Sequence, residues 1–349
     1  MRSFEYDYFL ETPISHTFLT SIRTIGEYKG RQMLYAEQSP EVLETLRRVA
    51  MIQSVESSNR IEGVMVAPGR IDALVLKKTR PADRSEQEVS GYRDVLASIH
   101  ANYSKMQLSA DLILNWHKTL YRYTKEKGGE WKTRDNSILE VRPDGKPFVR
   151  FQPVSALATS KSMDSLIKLF NKSIAEEKVD PLLSVATFIL DFECIHPFID
   201  VNGRIGRLLT LFLLYQSGYE VGRYIGLERI VEESKETYYE ALYKSSQGWH
   251  DGKHDLRPWL NYFIGMLTAA YKELETKVGT ITSARGAKRK MVVRAVESLP
   301  QRFTIGDLKR VCPGISYPTL HRALADMRKD KKIRCLGRGP DAEWERIKG

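Results

Sequence analysis

With 349 residues, 42% of them apolar and 28% charged, the chain has the balance of a soluble globular protein with ample core for two or three domains. Its longest uncharged apolar run, Leu208–Tyr215, has eight residues, against about 20 for a bilayer-crossing helix, and the N-terminal MRSFEYDYFLETP lacks the apolar stretch of a secretory signal. The net charge of +10 lies wholly in residues 285–349, where 17 Lys and Arg meet 7 Asp and Glu, so the tail reads as a separate module with its own partner.

Three cysteines, Cys194, Cys312 and Cys335, have unrelated spacings and form no CxxC, so they read as reduced thiols of a cytoplasmic protein. No Cys/His cluster with metal-ligand spacing is present, and no membrane partner is expected.

Residues 1–35 mix aromatics with a helical stretch and read as an N-terminal segment packed on a core. From Pro40 the sequence PEVLETLRRVAMIQSVESSNRIEG predicts one helix, with Leu43, Leu46, Val49 or Ala50, and Val55 at helical spacing and Gly63 as the stop. Ser58 and Glu62, four apart, share a face near its end. An acid there works against the helix dipole, so Glu62 is either a solvated side chain or one that answers a cation elsewhere. Residues 81–104 and 109–124 predict two further helices, the first with Glu86, Ser90 and Arg93 outward and Val89, Leu96 and Ile99 inward. The composition then shifts. Lys125–Trp131 is a loop, and SILEVRPDGKPFVRFQ (137–152) predicts a hairpin about Pro143-Asp144-Gly145. Another helix is expected near 160–176.

Two apolar segments follow, Leu182–Ile195 and Leu208–Tyr215. Helices apolar all round belong inside a protein, so these predict a buried pair flanking the polar turn His196-Pro-Phe-Ile-Asp-Val-Asn-Gly-Arg-Ile-Gly-Arg207. If the second helix begins near Asn202 or Gly203, its free N–H groups and dipole make an anion site. Arg204 and Arg207, three apart, then lie in its first turns, and two guanidiniums suit a polyphosphate. Asp200, an acceptor in a cationic nest, suggests Mg²⁺ bridging phosphate oxygens. His196 alone in the turn has an ordinary pKa near neutrality and is the natural general base. Together these residues describe transfer of a phosphorus-containing group. The opposing reading, a buried histidine with arginines in structural ion pairs, explains single residues better than the set.

Farther on, Ser234–Tyr243 predicts an amphipathic helix with Tyr239 and Tyr243 on one face. His250 and His254 are four apart in a polar loop without a third ligand and read as structural. Leu256–Ile281 predicts a long closing helix. In the tail, helices at Met291–Leu299, Thr304–Val311 and Tyr317–Lys329, a Pro313-Gly314 turn, and strands at Ile333 and Ala342–Ile347 come in the order of a winged helix-turn-helix. Ser316, Thr319, Arg322 and Arg328 lie on or near its recognition helix and Arg338 on its wing, an electrostatic footprint for DNA, with a protein-contact or dimerisation module as the alternative.

His196-Pro-Phe-x-Asp-x-Asn-Gly-Arg-x-x-Arg207 resembles the signature of the Fic family, whose members mostly transfer AMP from ATP to hydroxyl side chains of proteins. The resemblance extends over about residues 40–280. It implies a mainly α fold, a Fic-type helical bundle with a β-hairpin flap, to which a small C-terminal winged helix-turn-helix domain is added. The implied division is a helical segment at 1–110, a catalytic core at 111–282 with the flap at 137–152, and the winged helix at 285–349.

The activity implied is that of a protein adenylyltransferase, a nucleotidyltransferase using ATP and Mg²⁺. His196 would take the proton of a target Ser, Thr or Tyr hydroxyl and Asp200 would hold the metal. The run Val201, Asn202, Gly203, Arg204, Ile205, Gly206 and Arg207 would hold the phosphates. Tyr239 would pack beside adenine, and the target protein would lie along the flap as an added strand. Ser58-x-x-x-Glu62-Gly63 resembles the family's inhibitory motif, which implies that Glu62 pairs with Arg207 and turns ATP into a non-productive pose, or that it aligns a water for AMP removal. A homodimer locking Glu62 is a further expectation. The signature departs at Val201, usually Gly or Ala, and a β-branched residue resists unusual backbone angles, which bears on rate rather than reaction class. The alternatives are a DNA-binding regulator using the site as a nucleotide sensor, and a de-AMPylating enzyme.

Overall fold

The computed structural model describes residues 2–5, 8, 12–38, 40–67, 69–77, 79–141, 147–282, 287–312, 315–337, 339 and 342–347. The expected turns at Pro143-Asp144-Gly145 and Pro313-Gly314, and the wing residue Arg338, lie outside them. Among the described residues the chain is mainly helical, with two small sheets. The backbone gathers into two compact units, Met1–Ile25 with Arg48–Ala270, and Gly26–Arg47 with Tyr271–Gly349. The three-part division read from the sequence groups residues by role, whereas these units group them by packing.

The helices of the first half are α1 (His16–Gln38), α2 (Pro40–Ile61), α3 (Arg70–Leu76), α4 (Arg84–Asn102) and α5 (Ala110–Leu120). Asp83 and Ser109 cap α4 and α5 by accepting from the backbone N–H groups of Glu86 and Leu112. α4 and α5 meet backbone to backbone at Gly91, where a Cβ would stand 2.1 Å from the Leu120 carbonyl oxygen. Only glycine allows that approach.

The outward face expected for α4 is corrected: Glu86, Ser90 and Arg93 are 5%, 0% and 3% exposed. The two charged members find partners. Arg70 Nη2 lies 2.7 Å from Glu86 Oε2, and Arg93 donates to the Leu74 carbonyl at 2.7 Å and to Asp94. Buried charges of this kind are tolerated because each is hydrogen-bonded.

Strands β1 (Ile138–Val141) and β2 (Pro147–Phe151) form the antiparallel hairpin, with Leu139 opposite Val149 and a bulge beside Ile138. Then come α6 (Ala156–Glu176), α7 (Pro181–Ile195), α8 (Asn202–Gln216), α9 (Leu227–Glu233), α10 (Lys235–Ser246) and α11 (Arg257–Thr282). α7 starts with Asp180, whose side chain accepts from Leu182 N, and with Pro181 in its first turn. α7 and α8 are the core: Val185, Phe188, Phe192, Ile195, Leu208 and Phe212 are fully enclosed. Both ends of the turn between them are left-handed, with φ of 50° at His196 and 64° at Val201. No described helix is long and apolar enough to cross a membrane.

In the second unit, Tyr35 donates to Glu275 at 2.8 Å, and Arg294 donates to Glu41 at 2.8 Å. Its C-terminal part runs α12 (Ala287–Ser298), β3 (Arg302–Thr304), α13 (Ile305–Val311), α14 (Tyr317–Lys329), β4 (Ile333–Cys335) and β5 (Glu343–Arg346). The sheet is antiparallel in the order β3-β5-β4. Thr304 and Asp307 form a reciprocal capping box at the start of α13. Val292, Val296, Leu308, Leu320 and Leu324 fill the core beneath.

Candidate active site

A cavity of about 830 Å³ opens beside the α7–α8 turn, a volume in the range of nucleotide-sized ligands. His196, Asp200, Val201, Asn202, Gly203 and Arg207 line it from the turn and the start of α8. Glu62 reaches it from the end of α2, Phe148 and Arg150 from β2, and Tyr239 from α10.

His196 caps the C-terminus of α7 in a left-handed conformation. Its Nδ1 lies 3.3 Å from the Glu193 carbonyl oxygen and 3.7 Å from Glu193 Oε2. A carbonyl can only accept, so the hydrogen belongs on Nδ1 and the lone pair on Nε2. Burial pulls the imidazole down to about 4, which keeps it neutral, the form a general base requires.

Arg207 is buried and has three contacts: Nε donates to Ser58 Oγ at 2.8 Å, and Nη2 donates to the Ser58 carbonyl at 2.9 Å and to Glu62 Oε1 at 2.7 Å. Ser58 is fully enclosed behind it. Burial works against a charged Glu62, but the charge and hydrogen bond of Arg207, with Arg204 and Lys235 farther off, outweigh it and hold the carboxyl below its usual value. The cation that Glu62 called for by its place at a helix end is therefore Arg207.

Other residues of the expected phosphate run point elsewhere. Arg204 does not line the cavity; its Nη1 is 2.7 Å from Glu88 Oε2 and 3.5 Å from Asn59 Oδ1. Ile205 is enclosed in the core, and Gly206 faces Glu193. Asn202 touches the cavity, yet its amide is engaged with the turn itself, accepting from Phe198 N at 2.9 Å and donating to Phe198 O at 2.8 Å. At Val201 the backbone takes the left-handed conformation despite the branched side chain, a strain of about 1–2 kcal/mol.

Asp200 is the most exposed member, its side chain 68% accessible, accepting from Val201 N at 2.7 Å with Arg204 at 4.0 Å. Among the described residues no group of three or more His, Cys, Asp or Glu is placed to hold a metal. A lone accessible carboxylate beside a phosphate-sized concavity still suits Mg²⁺, which keeps several waters and shares the substrate's phosphates. The donor set fits that ion and would not fit a metal needing an all-protein cage.

Tyr239 forms part of the wall, with Arg150 5.6 Å above its ring and 5.2 Å from that of Tyr243. Its neighbour Tyr238 turns inward and packs on Trp259. His250 stacks on Phe151 and His254 contacts Ser3, consistent with structural roles. Two site residues gave no sequence signal. Lys132, pushed down to about 8 by burial, donates to the Ile195 carbonyl, and Asn136 donates to that of Phe198. Between them they fix the turn's carbonyls.

Residues 107–214 match the profile of the Fic/DOC family. A Fido domain-containing protein of Dictyostelium discoideum is 37% identical over 59 residues, 17% of this chain and 41% of that protein, so the match spans less than half the curated relative's length. A Fic family protein from Desulfovibrio desulfuricans G20 is 22% identical with a TM-score of 0.61, covering 97% of this chain and 98% of that one. A Fic domain containing signaling protein from Bacteroides thetaiotaomicron VPI-5482 has the same identity and score, with coverage of 73% and 97%. Fic-1 from C. elegans is 20% identical, with a TM-score of 0.60 and coverage of 77% and 74%. At these identities the likeness to solved structures is one of fold. The turn from His196 to Arg207, the buried helix pair around it and the family match converge on one statement: the chain carries a Fic/DOC-family domain over residues 107–214.

Proposed function

We propose that this protein is an adenylyltransferase that moves AMP from ATP to a Ser, Thr or Tyr hydroxyl of a target protein or of itself, restrained by Glu62. The observation that carries the reading is the shared cavity: a neutral imidazole, an accessible carboxylate and a buried guanidinium line one concavity, and the guanidinium is already occupied by Glu62. In the reaction the target oxygen attacks the α-phosphorus of ATP, and the bond from that phosphorus to the bridging oxygen breaks, releasing pyrophosphate. His196 accepts the hydroxyl proton at Nε2. Gly203 and the first N–H groups of α8 offer donors to the phosphates, and Arg207 offers charge once Glu62 leaves it. Magnesium held through Asp200 would supply further neutralisation of phosphate charge. Tyr239 offers a ring for the adenine to pack on, and the hairpin Ile138–Phe151 an edge for the target segment.

The test is to incubate the full chain with ATP labelled at the α- or the γ-phosphate. Label retained from the α position alone supports AMP transfer. Label from the γ position means phosphorylation, and none in Glu62→Gly as well as in the wild type means a sensor or a removal enzyme.

The C-terminal unit is proposed to be a winged helix that binds DNA. Ser316, Arg322 and Arg328 are exposed on or beside α14, with Thr319 half-buried. Binding of labelled duplex DNA that weakens steeply with salt and is lost in Arg322→Ala/Arg328→Ala would support it. A cytoplasmic setting and a homodimer that clamps Glu62 complete the proposal.

A further inference from the structure

We infer that Glu193 is a positioning residue for the transfer step: its carboxylate, enclosed behind the His196 ring, is the counter-charge for the imidazolium formed when His196 takes the hydroxyl proton. The inference rests on the proposed transfer reaction and adds a requirement to it. Glu193 lies one turn before His196 at the end of α7, so two of its oxygens approach the same ring nitrogen. The backbone oxygen, 3.3 Å from Nδ1, sets the tautomer; the side-chain Oε2, 3.7 Å away, sets the local charge. This division of work differs from a triad in which one carboxylate does both.

The pocket wall around Glu193 is shaped to admit the carboxylate. Its side chain is only 11% exposed, on a helix whose one other charged residue is Asp191, and lines the cavity. Oε1 is buried with no hydrogen-bond partner among the described residues. It occupies the space left by the missing side chain of Gly206, where a Cβ would stand 2.3 Å from it. An unpartnered buried oxygen is a cost that an apolar residue would avoid.

The groups that act on Glu193 are His196 on its own turn, Arg207 on α8, Glu62 at the end of α2, and Tyr238 and Tyr239 on α10. Lys132 and Asp200 act on the imidazole from its other sides. Burial lifts the Glu193 carboxyl to about 7, Arg207 drawing it down and Glu62 pushing it up. The working state is therefore neutral His196 beside ionised Glu193, and that state is lost as pH falls through neutrality. The proton taken at Nε2 makes an ion pair with Glu193, and it returns to solvent after pyrophosphate has left.

The experiment has two arms, both on the full chain. In the first, the ring signals of His196 are followed by NMR against pH in the wild type. An inflection near neutrality, absent in Glu193→Gln, is expected. A flat wild-type curve overturns the proposal even if the variant fails to fold, and an inflection that persists in Glu193→Gln overturns it as well. In the second arm, AMP transfer is measured in a Glu62→Gly background with and without Glu193→Gln. The expected result is a kcat loss on the order of 100-fold, below the about 10,000-fold seen when a carboxylate also sets the tautomer. KM for ATP should hold within a few-fold, the acid limb near neutrality should vanish, and Glu193→Asp should recover part of the rate. Unchanged kcat and an unchanged limb would overturn the proposal. If no AMP is transferred by any variant, the transfer reading fails by itself, while the NMR curve still decides whether Glu193 charges beside His196.

Discussion

Arg207 and Glu62 form a 2.7 Å ion pair on the wall of the cavity, and the remaining Arg207 contacts go to Ser58. A phosphate can therefore claim Nη2 of this guanidinium only by taking the place of Glu62. A charged hydrogen bond is worth about 1.5–3 kcal/mol, so Glu62→Gly should raise AMP transfer by about 10- to 100-fold. Incorporation of α-labelled phosphate measures it, and equal rates in the two proteins would refute restraint by this contact.

The restraint should also be insensitive to mild changes of pH. Glu62 is held below its usual value, so its contact is present above the ordinary carboxylate range and fails only as pH falls beneath that range. The ratio of Glu62→Gly to wild-type transfer should not fall between about pH 8 and 6. A ratio that collapses toward one at the acid end would show that protonation opens the contact.

The two signature arginines should separate by phenotype. Arg207→Ala should raise KM for ATP and leave a folded protein that no longer responds to Glu62→Gly. Arg204 pairs with Glu88 away from the cavity, its side chain 5% exposed. Breaking a buried pair leaves an uncompensated charge at a cost of about 3–5 kcal/mol; Glu88 is 14% exposed, so the lower figure is expected for Arg204→Ala. Urea denaturation and ATP titration of both variants make the comparison. Equal effects on KM would mean that both arginines face the nucleotide.

Asp191 should give stability a pH slope. It is wholly buried, and burial lifts its carboxyl to about 6 against the hydrogen bonds from Trp249 and Ser3. A folded value above the unfolded one means stability is fully present below about 3.8 and declines as pH rises through about 6. The decline amounts to about 3 kcal/mol at most. Asp191→Asn should lessen it, leaving the share that Glu193 contributes in the same direction, while keeping an oxygen for Trp249 and Ser3. Denaturant midpoints from about pH 4 to 7 test this; an unchanged slope would refute it.

The sequence made the longer helices, the hairpin and the signature turn legible, because apolar spacing and a long motif are local properties, while the seven-residue α3 and α9 went unread. It could not reveal which way polar residues turn when their partners lie far along the chain. Glu86 and Arg93 look like an outward stripe until Arg70 and the Leu74 carbonyl arrive to bury them. Arg204 and Arg207 are three apart on one helix, yet one finds Glu88 and the other Ser58 and Glu62. Ile205 and Gly206 belong to the signature but to the inner face of α8. β3 escaped notice because three residues carry no period. Lys132 and Glu193 were hidden for a related reason: one lies in a loop of ordinary polarity, the other in a run dominated by apolar neighbours.

Gly203 and Gly206, three apart on α8, each leave a hollow filled by an acidic oxygen, at 2.5 Å and 2.3 Å from where a Cβ would stand. The same methyl group would do opposite things in the two places. At 203 it would act as a wedge, because the Glu62 side chain is 32% exposed and can swing outward, so alanine there loosens its hold on Arg207. At 206 the displaced carboxylate is only 11% exposed, and the wedge becomes a jam that skews the imidazole. Neighbouring hydrogens on one helix thus separate an on-switch from a broken tool.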